Sequence, residues 1–387
     1  MPFSGMPYWR LSSFYFFYFA ALGVLVPFWA LYLKSLGFSA LQIGELMAIP
    51  MATKVVAPYL WGWIGDSLGE RMRLVRSGAF LSLCTFMLVF WLTDYAGLAL
   101  AMALFSFFWN AVLPQIEVTT LRFLGSNTPL YSRIRVWGSI GFMLMVVLLG
   151  FMVDHWGVAI ILPVLALIYA GIWLSTLAIP EQPRQDGHDS TASLSAILLQ
   201  PAVLSFFAVC LLMQFSHGAY YTFFSIYLES EGYSKGVIGQ LWALGVAAEV
   251  AVYIFFMHKL LLAFSSKSLL LGCLFLAALR WTLVALFSDY LLVLIFAQLL
   301  HAATFGAFHA VAIDFVHHNF PQHLQGRGQA LYSSVSFGVG GTLGSLSSGY
   351  LWDSSGATTT FLIFSASAVL AMGILAIGQR GKLSSRS

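Results

Sequence analysis

Several ionisable side chains fall inside long apolar stretches of the sequence, where they could bind a charged ligand or carry a proton. They are Lys54, Glu117, His217, Glu249, Arg280, His301 and His309. A charge near the centre of a lipid bilayer costs about 2.5–3.5 kcal/mol on insertion scales, so each side chain needs a partner, a water-filled cavity or a function. Glu45 and Asp314 lie nearer the ends of their stretches, where a side chain can reach the polar interface.

Two of these residues are cations that could hold the carboxylate of a substrate. Arg280 keeps its charge in apolar surroundings and can bind a carboxylate through two parallel hydrogen bonds. Lys54 and Glu249 lie 195 positions apart, so they could occupy equivalent places in an internal repeat. They could pair with each other, or they could serve the substrate and a proton. The structural alternative for Arg280 is an ion pair with Glu249 or hydrogen bonds to backbone groups at a helix end.

Two histidines lie on one predicted helix and suggest proton transfer. His301 and His309 are eight residues apart, which corresponds to about 80° around a helix. Because imidazole changes charge near neutral pH, these histidines and Glu249 predict a proton relay. Two buried histidines that bond to backbone or hydroxyl groups are the alternative. A metal site is not predicted, because no carboxylate stands at helical spacing from either histidine.

Two other segments add candidates. Glu117 follows Pro114, whose ring we expect to interrupt the helix and border a cavity, so Glu117 joins the proton-coupling candidates. Gln214, His217 and Tyr221 recur at i, i+3 and i+7 and therefore share one helical face. Polar tips among aromatic side chains suit an aromatic or amphipathic substrate, although a polar seam inside a helical bundle has the same pattern.

The elements that must position these residues are membrane-spanning helices. The chain is 60% hydrophobic and 9% charged, whereas soluble domains are about 45–50% apolar and 25% charged. A spanning helix needs about 20 mainly apolar residues. Twelve such runs are present: 9–33, 42–63, 74–93, 97–119, 133–153, 157–179, 202–228, 237–258, 267–287, 290–315, 329–352 and 357–379. The predicted fold is an all-α membrane protein with twelve transmembrane helices.

The distribution of positive charge predicts the orientation. With the N-terminus inside, fourteen Lys and Arg residues fall on the cytoplasmic side, and Lys34 and Lys235 fall on the other side. This asymmetry follows the positive-inside rule and places both termini in the cytoplasm. It also explains the positive net charge of the chain, so nucleic-acid binding is not needed as an explanation. The polar stretch 180–201 predicts a cytoplasmic linker between an N-terminal bundle, 1–179, and a C-terminal part, 202–387.

An internal repeat divides the chain into halves. At an offset of 195, LYLKSLGFSALQIGEL and IYLESEGYSKGVIGQL agree at eight of sixteen positions. At an offset of 199, Gly141, Gly150, Asp154 and Gly157 correspond to Gly340, Gly349, Asp353 and Gly356. Two parallel six-helix repeats with a midplane substrate site are the organisation of the major facilitator superfamily, which this chain resembles.

The loop after the second run also resembles a cytoplasmic signature of that superfamily. In GWIGDSLGERMR the matching residues are Gly62, Asp66, Gly69, Arg71 and Arg73. The resemblance implies that this carboxylate and these cations hold a cytoplasmic gate in one state. Ser67 replaces a residue that is commonly basic, so one contact of the gate could be missing. As the alternative, the arginines act only as topology determinants.

Longer segments resemble a narrower family. SHGAYYTFFSIYL, GYSKGVIGQLWALGVAAEV, ALRW and QLLHAATFGAFHAVA, with VPFWALYLKSLG and RVWGSIGF, are similar to the bacterial 3-phenylpropionate permease family of proton symporters. This resemblance implies uptake of an aromatic monocarboxylate with protons across a bacterial inner membrane. The positions that match its polar membrane residues are Lys54, His217, Glu249, Arg280, His301 and His309.

The resulting prediction is a monomeric transporter that binds a small molecule and protons within the bilayer. Substrate-binding candidates are Lys54, His217, Tyr221 and Arg280, and proton-coupling candidates are Glu117, Glu249, His301 and His309. No cofactor is expected, because a phosphate-binding loop is absent and the proton gradient can supply the energy. A sugar or nucleoside symporter, or an efflux carrier, is the alternative within transport. An intramembrane enzyme or a transporter-derived sensor is the alternative from another class.

Overall fold

The computed structural model describes residues 6–68, 70–125, 127, 130–181 and 195–378, and these ranges are almost entirely helical. Long apolar runs favour helices in a membrane because a helix satisfies its own backbone hydrogen bonds. The first helices are α1 (Tyr8–Ser35), α2 (Ala40–Leu68), α3 (Arg71–Phe86), α4 (Tyr95–Leu124), α5 (Tyr131–Trp156) and α6 (Ile161–Ala178). The short helix α7 (Ser195–Leu198) follows.

The remaining helices contain more interruptions. They are α8 (Pro201–Ser216), α9 (Gly218–Ser230), α10 (Lys235–Phe255), α11 (Met257–Ala263), α12 (Ser266–Leu286), α13 (Leu291–Leu299), α14 (Phe308–Asn319), α15 (Gln325–Ser333) and α16 (Gly341–Gly378). Two π-helical segments, Ala302–Ala307 and Ser334–Gly340, precede α14 and α16. Such segments are rare and are frequently found at functional sites.

Within the described ranges, eleven helical segments are long and apolar enough to cross a membrane. The last of them, Gln322–Gly378, has 57 residues. A straight helix of this length would measure about 85 Å, roughly twice the thickness of a bilayer. Gly356 interrupts it with φ 79° and ψ 173°, so two helices meet there at a kink. The prediction of an all-helical, multi-pass membrane protein is confirmed.

Helix α4 corrects one prediction about a candidate residue. The helix runs from Tyr95 to Leu124 through Pro114, so the predicted interruption before Glu117 is wrong. Membrane helices tolerate proline because neighbouring groups can satisfy the carbonyl that loses its donor. The helix begins where the side chain of Asp94 accepts a hydrogen bond from the backbone N–H of Gly97 at 3.0 Å.

The helices form two compact units. The first contains Met1–Asp186 and Gly232–Ala243, and the second contains Gly187–Glu231 and Leu244–Ser387. In the first unit, α1 packs against α5 and α6, and α4 packs against α2 and α3. In the second unit, α16 packs against α8, α9 and α12. Most of the predicted linker falls in residues 182–194, outside the described residues, and the predicted domain boundaries stay predictions.

The repeat seen in the sequence reappears in the backbone. Gly37 and Gly232, 195 positions apart, have φ angles of 87° and 89°. Gly157 and Gly356, 199 positions apart, have φ angles of 80° and 79°. Glycine suits these positions because a side chain would strain a residue with positive φ. The equivalent segments of the two sequence repeats therefore adopt the same turns.

Helix crossings repeat in the same way. A Cβ atom at Gly141 on α5 would fall on the carbonyl oxygen of Phe16 on α1. At the equivalent place in the second unit, a Cβ atom at Gly340 would lie 2.5 Å from the carbonyl oxygen of Leu211 on α8. Small residues allow such close approach of membrane helices, which associate through packing.

Asp154 joins the end of α5 to the start of α10 within the first unit. Its Oδ1 accepts a hydrogen bond from the N–H of Lys235 at 2.8 Å, and its Oδ2 accepts one from Gly236 at 2.7 Å. The carboxylate satisfies two N–H groups that lack helical partners and faces the positive end of the helix dipole. Gly150 and Gly239 permit this approach, because a Cβ atom on either would meet a carbonyl oxygen of the other helix.

We predict that Asp154→Ala destabilises the protein by about 0.5–2 kcal/mol, the usual cost of losing a helix cap. The measurement is thermal unfolding of the purified protein in detergent. Asp289→Ala is the control, because Asp289 is exposed between α12 and α13. Equal melting temperatures for the two variants would show that the cap contributes nothing.

Candidate functional site

Arg280 on α12 is completely buried in the second unit, and its guanidinium group is held by three acceptors. Nη1 donates to Nδ1 of His301 at 2.9 Å and to Oγ1 of Thr304 at 3.1 Å. Nη2 donates to Oε1 of Gln298 at 3.0 Å. These four residues and Tyr220 are called the C-terminal polar cluster below. Such hydrogen bonds offset part of the large cost of removing a cation from water.

Aromatic rings hold the same guanidinium. Its central carbon lies 4.3 Å from the ring centre of Tyr220 and 4.5 Å from that of Trp281. Both distances lie within the range of cation–π attraction, which strengthens when the cation is desolvated. The hydroxyl of Tyr220 donates to Oε1 of Gln298 at 3.0 Å, so ring and amide are fixed together.

The hydrogen bond from Arg280 determines which nitrogen of His301 carries the proton. A guanidinium group only donates, so Nδ1 of His301 must be the unprotonated acceptor. The ring is then neutral and carries its hydrogen on Nε2. Nε2 lies 3.8 Å from Oε2 of Glu249 on α10. The structure therefore brings Glu249, His301 and Arg280 together in one row.

His217 lies where α8 ends and α9 begins, and it is fully buried. Its Nδ1 donates to the carbonyl oxygen of Met213 at 2.8 Å, which leaves Nε2 as an acceptor. The ring stacks on Tyr221 with centroids 5.6 Å apart and meets the Trp281 ring edge-to-face at 4.9 Å. His217 and Tyr221 thus lie next to each other. They lie beside Trp281, whose ring also contacts Arg280.

Three buried polar atoms of this region have no hydrogen-bond partner within the described part of the chain. They are Nε2 of His217, Nε of Arg280 and Nε2 of Gln298. Buried polar atoms in native proteins usually bond to protein, ligand or water. One acceptor and two donors are therefore available to water or to polar groups of a substrate.

His309 belongs to a different hydrogen-bond network from His301. Its Nδ1 lies 3.0 Å from the hydroxyl of Tyr332 on α15. The ring of Phe305 stacks between the two histidines, with centroid distances of 5.3 Å to His301 and 6.5 Å to His309. A continuous relay through both histidines would have to pass this apolar ring.

A second polar cluster lies in the first unit and surrounds Glu117 on α4. The hydroxyl of Tyr131 lies 3.4 Å from Oε1 of Glu117. Arg135 on α5 attracts the same carboxylate, and its guanidinium carbon lies 3.8 Å above the ring of Phe19. We call Glu117, Tyr131 and Arg135 the N-terminal polar cluster. The negative charge of Glu117 is therefore stabilised by the cation of Arg135 and the phenol of Tyr131.

Lys54 on α2 has a different environment from Arg280. Among the residues that the structure describes, its ammonium group has no hydrogen-bond or ion-pair partner. The neighbouring Thr53 is engaged instead, because its hydroxyl bonds to Ser106 at 3.1 Å and to Asn110 at 2.8 Å. A lone ammonium group inside a membrane segment can serve as a binding site for an anion.

Comparison with protein families identifies the family to which this chain belongs. A family model described as the MFS_1 like family matches residues 8–363. The chain belongs to the MFS_1 like family. It is therefore a membrane transporter of the major facilitator type rather than an enzyme.

Individual relatives cover almost the whole chain. The "Probable 3-phenylpropionic acid transporter" of Escherichia coli (strain K12) is 30% identical over 344 residues, which are 87% of this chain and 89% of that protein. The "Maltose permease" of Geobacillus stearothermophilus is 25% identical over 372 residues, 94% of this chain and 92% of that protein. A crystal structure of the nucleoside transporter NupG has a TM-score of 0.82 at 18% identity and covers 97% of this chain and 99% of that chain. At that identity, the likeness establishes the fold alone.

Part of the motif predicted to gate this MFS_1 like chain packs against α4. Nη1 of Arg71 donates to Oε1 of Gln115 at 2.7 Å. A Cβ atom at Gly62 would lie 3.9 Å from Nε2 of the same amide, so the two motif residues face one side chain. Gln115 is a partner that the sequence pattern did not reveal.

The rest of the motif is less informative. Arg73 forms an exposed ion pair with Glu70 at 2.9 Å, and such pairs contribute little to stability. The side chain of Asp66 and the whole of Gly69 lie outside the described residues. The gating roles of all five motif residues stay predictions.

Several residues of the two clusters escaped the sequence analysis. Gln298, His301 and Thr304 recur at intervals of three, a spacing that places polar side chains on one helical face and could have revealed the cluster. In the sequence, Arg135 is one of the cations of the predicted cytoplasmic side, and nothing marks it as a partner of Glu117. The depth of Glu117 was the available signal, because a carboxylate in a membrane helix requires compensation.

The N-terminal polar cluster predicts a non-additive pair of mutations. Arg135→Gln leaves the Glu117 carboxylate without its nearby cation, and we expect a loss of about 1–3 kcal/mol in the free energy of unfolding. The double variant Glu117→Gln, Arg135→Gln should be more stable than Arg135→Gln alone, as judged by denaturation in detergent. Arg133→Gln, a change at an exposed position two residues away, is the control. Additive losses in the double variant would contradict the pairing.

Proposed function

We propose that this protein is a secondary transporter that takes up a small aromatic monocarboxylate together with protons. The observation that carries the proposal is the row formed by Glu249, His301 and Arg280 inside the second unit. It combines an ionisable carboxylate 3.8 Å from an imidazole nitrogen with a permanent cation on the other side of that imidazole. Ionisable groups at membrane depth are typical of proton pathways in transporters.

Glu249 is the group that takes up the coupling proton in this proposal. His301 is unsuited to the task while Arg280 donates to its Nδ1, because a second ring proton would face that donor. The imidazole instead presents Nε2–H toward the carboxylate of Glu249. Protonation of Glu249 removes a partly buried negative charge and so changes the relative stability of the carrier's conformations. His309 and Glu117 have hydrogen-bond partners outside this row, and their predicted coupling roles are secondary.

Lys54 is the cation that holds the substrate carboxylate in this proposal. Arg280 uses both terminal nitrogens for protein acceptors, so fewer of its five N–H groups are left for a ligand. Lys54 has no such partner among the described residues. The aromatic character of the substrate is supported by the similarity to the Escherichia coli protein named a probable 3-phenylpropionic acid transporter. His217 and Tyr221 stay substrate-binding candidates from the sequence.

The finer topology is part of the proposal. Counting the kinked segment Gln322–Gly378 as two crossings gives twelve, which returns the chain to its starting side. The excess of Lys and Arg residues on one side, fourteen in number, supports cytoplasmic termini. We therefore propose a monomer in a bacterial inner membrane that works by alternating access. The proton gradient supplies the energy without a cofactor.

We expect Glu249→Gln to abolish proton-driven accumulation while sparing counterflow exchange, because the amide mimics the protonated acid permanently. The measurement is uptake of labelled 3-phenylpropionate into proteoliposomes with and without an inward proton gradient. Glu231→Gln, the same change at an exposed site after α9, is the control. Unchanged accumulation by Glu249→Gln would remove Glu249 from the coupling role.

Lys54 generates a prediction about ligand charge. Lys54→Gln should weaken binding of 3-phenylpropionate by about tenfold or more, because a hydrogen bond to a charged group contributes about 1.5–3 kcal/mol. Binding of the neutral 3-phenylpropionamide should not change. Lys34→Gln, near the end of α1, is the control. If acid and amide lose affinity equally, or if neither does, Lys54 does not bind the carboxylate.

The same vesicles distinguish the substrate classes. Labelled aromatic acids, maltose and nucleosides are compared with and without the proton gradient. The proposal requires that an aromatic acid accumulates and that the others do not. If only maltose or only a nucleoside accumulates, the proposal of an aromatic acid as substrate is wrong.

A further inference from the structure

The π-helical segment Ala302–Ala307 lies between α13 and α14, directly after His301. A π-helical turn holds more residues than an α-helical turn, so it changes which side chains face a given neighbour. Here His301 and Thr304 both accept a hydrogen bond from Nη1 of Arg280. The segment is therefore anchored to α12 at its beginning and at its middle.

The end of the same segment lies against Glu249. A Cβ atom at Gly306 would lie 2.6 Å from Cγ and 3.5 Å from Cδ of Glu249, and 3.3 Å from Cε2 of Tyr253. Distances below 3.0 Å are incompatible with an unshifted structure, because the atoms would overlap. The side chain of Glu249 thus occupies the space that any residue larger than glycine would need.

A second glycine makes the reciprocal contact from α10. A Cβ atom at Gly245 would lie 3.2 Å from Oε1 of Gln298, and 3.3 Å and 3.4 Å from Cδ2 and Cβ of His301. Gly245 stands one helical turn before Glu249, so both residues lie on the same face of α10. The two helices approach each other because each has a glycine opposite a polar residue of the other.

We propose that Gly306 is a positioning residue for proton coupling, because it fixes the carboxylate of Glu249 opposite Nε2 of His301. This inference rests on the proposed function of Glu249. The π-helical segment follows His301, which accepts a hydrogen bond from Arg280. The same segment contains Gly306, where an added side chain would overlap that of Glu249. A methyl group at residue 306 displaces Glu249 while the bonds of Arg280 to Gln298, His301 and Thr304 remain.

A displacement of the Glu249 side chain would change its interactions with the charged and titratable groups around it in the second unit. His301 faces it from the end of α13, and Arg280 on α12 stands behind His301. Tyr221 on α9 interacts with it electrostatically, and Tyr253 lies beside it near Gly306. Of these groups, His301 offers an N–H at 3.8 Å from the carboxylate. Displacing Glu249 therefore changes its contact with His301 most directly.

The test compares Gly306→Ala with Gly272→Ala in proteoliposomes. A Cβ atom at Gly272 on α12 meets no atom within 4 Å, so this change has the same chemistry without the contact. Gly306→Ala should lower proton-driven accumulation of 3-phenylpropionate by about fivefold or more, since overpacking a buried contact shifts equilibria by this order. Counterflow exchange should change by less than about twofold, because the ligand-binding groups keep their partners. Equal accumulation by the two variants would overturn the inference.

A spectroscopic measurement separates this inference from the proposed function. The infrared band of the Glu249 carboxyl group is identified by its loss in Glu249→Gln. It should shift in Gly306→Ala and keep its position in Gly272→Ala, whether or not transport is coupled to protons. An unshifted band in Gly306→Ala refutes the positioning role. If the band shifts but Glu249→Gln accumulates substrate normally, the positioning stands and the coupling role of Glu249 fails.

A second variant keeps the test decisive if Gly306→Ala does not fold. Gly245→Ala makes milder contacts, at 3.2–3.4 Å, and it presses on the His301 side of the same pair. It should shift the band in a folded protein and lower accumulation by a smaller factor. A folded Gly245→Ala protein with an unshifted band and normal accumulation would overturn the reciprocal arrangement.

Discussion

A permanently charged guanidinium group buried among membrane helices sets the strongest constraint on the second unit. Arg280 is inaccessible to solvent and cannot lose its charge, so acceptors and ring faces must surround it. Gln298, His301 and Thr304 supply the acceptors, while Tyr220 and Trp281 supply the rings. This arrangement fixes the proton position on His301 and thereby the group that Glu249 faces. The need to stabilise the Arg280 cation therefore determines the hydrogen bonds of the neighbouring polar side chains.

The two sequence repeats place different ionisable residues on one scaffold. Gly37 and Gly232 have the same positive φ, as do Gly157 and Gly356, so the repeated turns have kept their geometry. The ionisable residues at equivalent positions differ, since Lys54 in α2 corresponds to Glu249 in α10. Backbone contacts tolerate little change because helices meet at glycines, whereas side chains that face polar space can diverge. The repeat therefore preserves the fold and leaves the functional groups free to specialise.

The sequence predicted the membrane helices, the repeat and most charged residues of both clusters, because these follow from hydropathy, offset and the cost of charge in lipid. It did not predict the partners. The pairing of Arg280 with His301 depends on how α12 packs against the end of α13. The electrostatic attraction between Arg135 and Glu117 depends on how α5 packs against α4. The expected break at Pro114 was wrong because neighbouring helices support a continuous α4. The π-helical segment Ala302–Ala307 was not predicted, because no hydropathy pattern in the sequence distinguishes it from an α-helix.

The protonation state of His301 is the decisive property of this arrangement. Nitrogen NMR of the purified protein with isotope-labelled histidine distinguishes the two neutral forms from the charged ring, and His301→Gln identifies the signal. We predict a neutral ring with its hydrogen on Nε2 and a bare Nδ1 at neutral pH, because Arg280 donates to Nδ1. A ring protonated on both nitrogens, or one with its hydrogen on Nδ1, would contradict it.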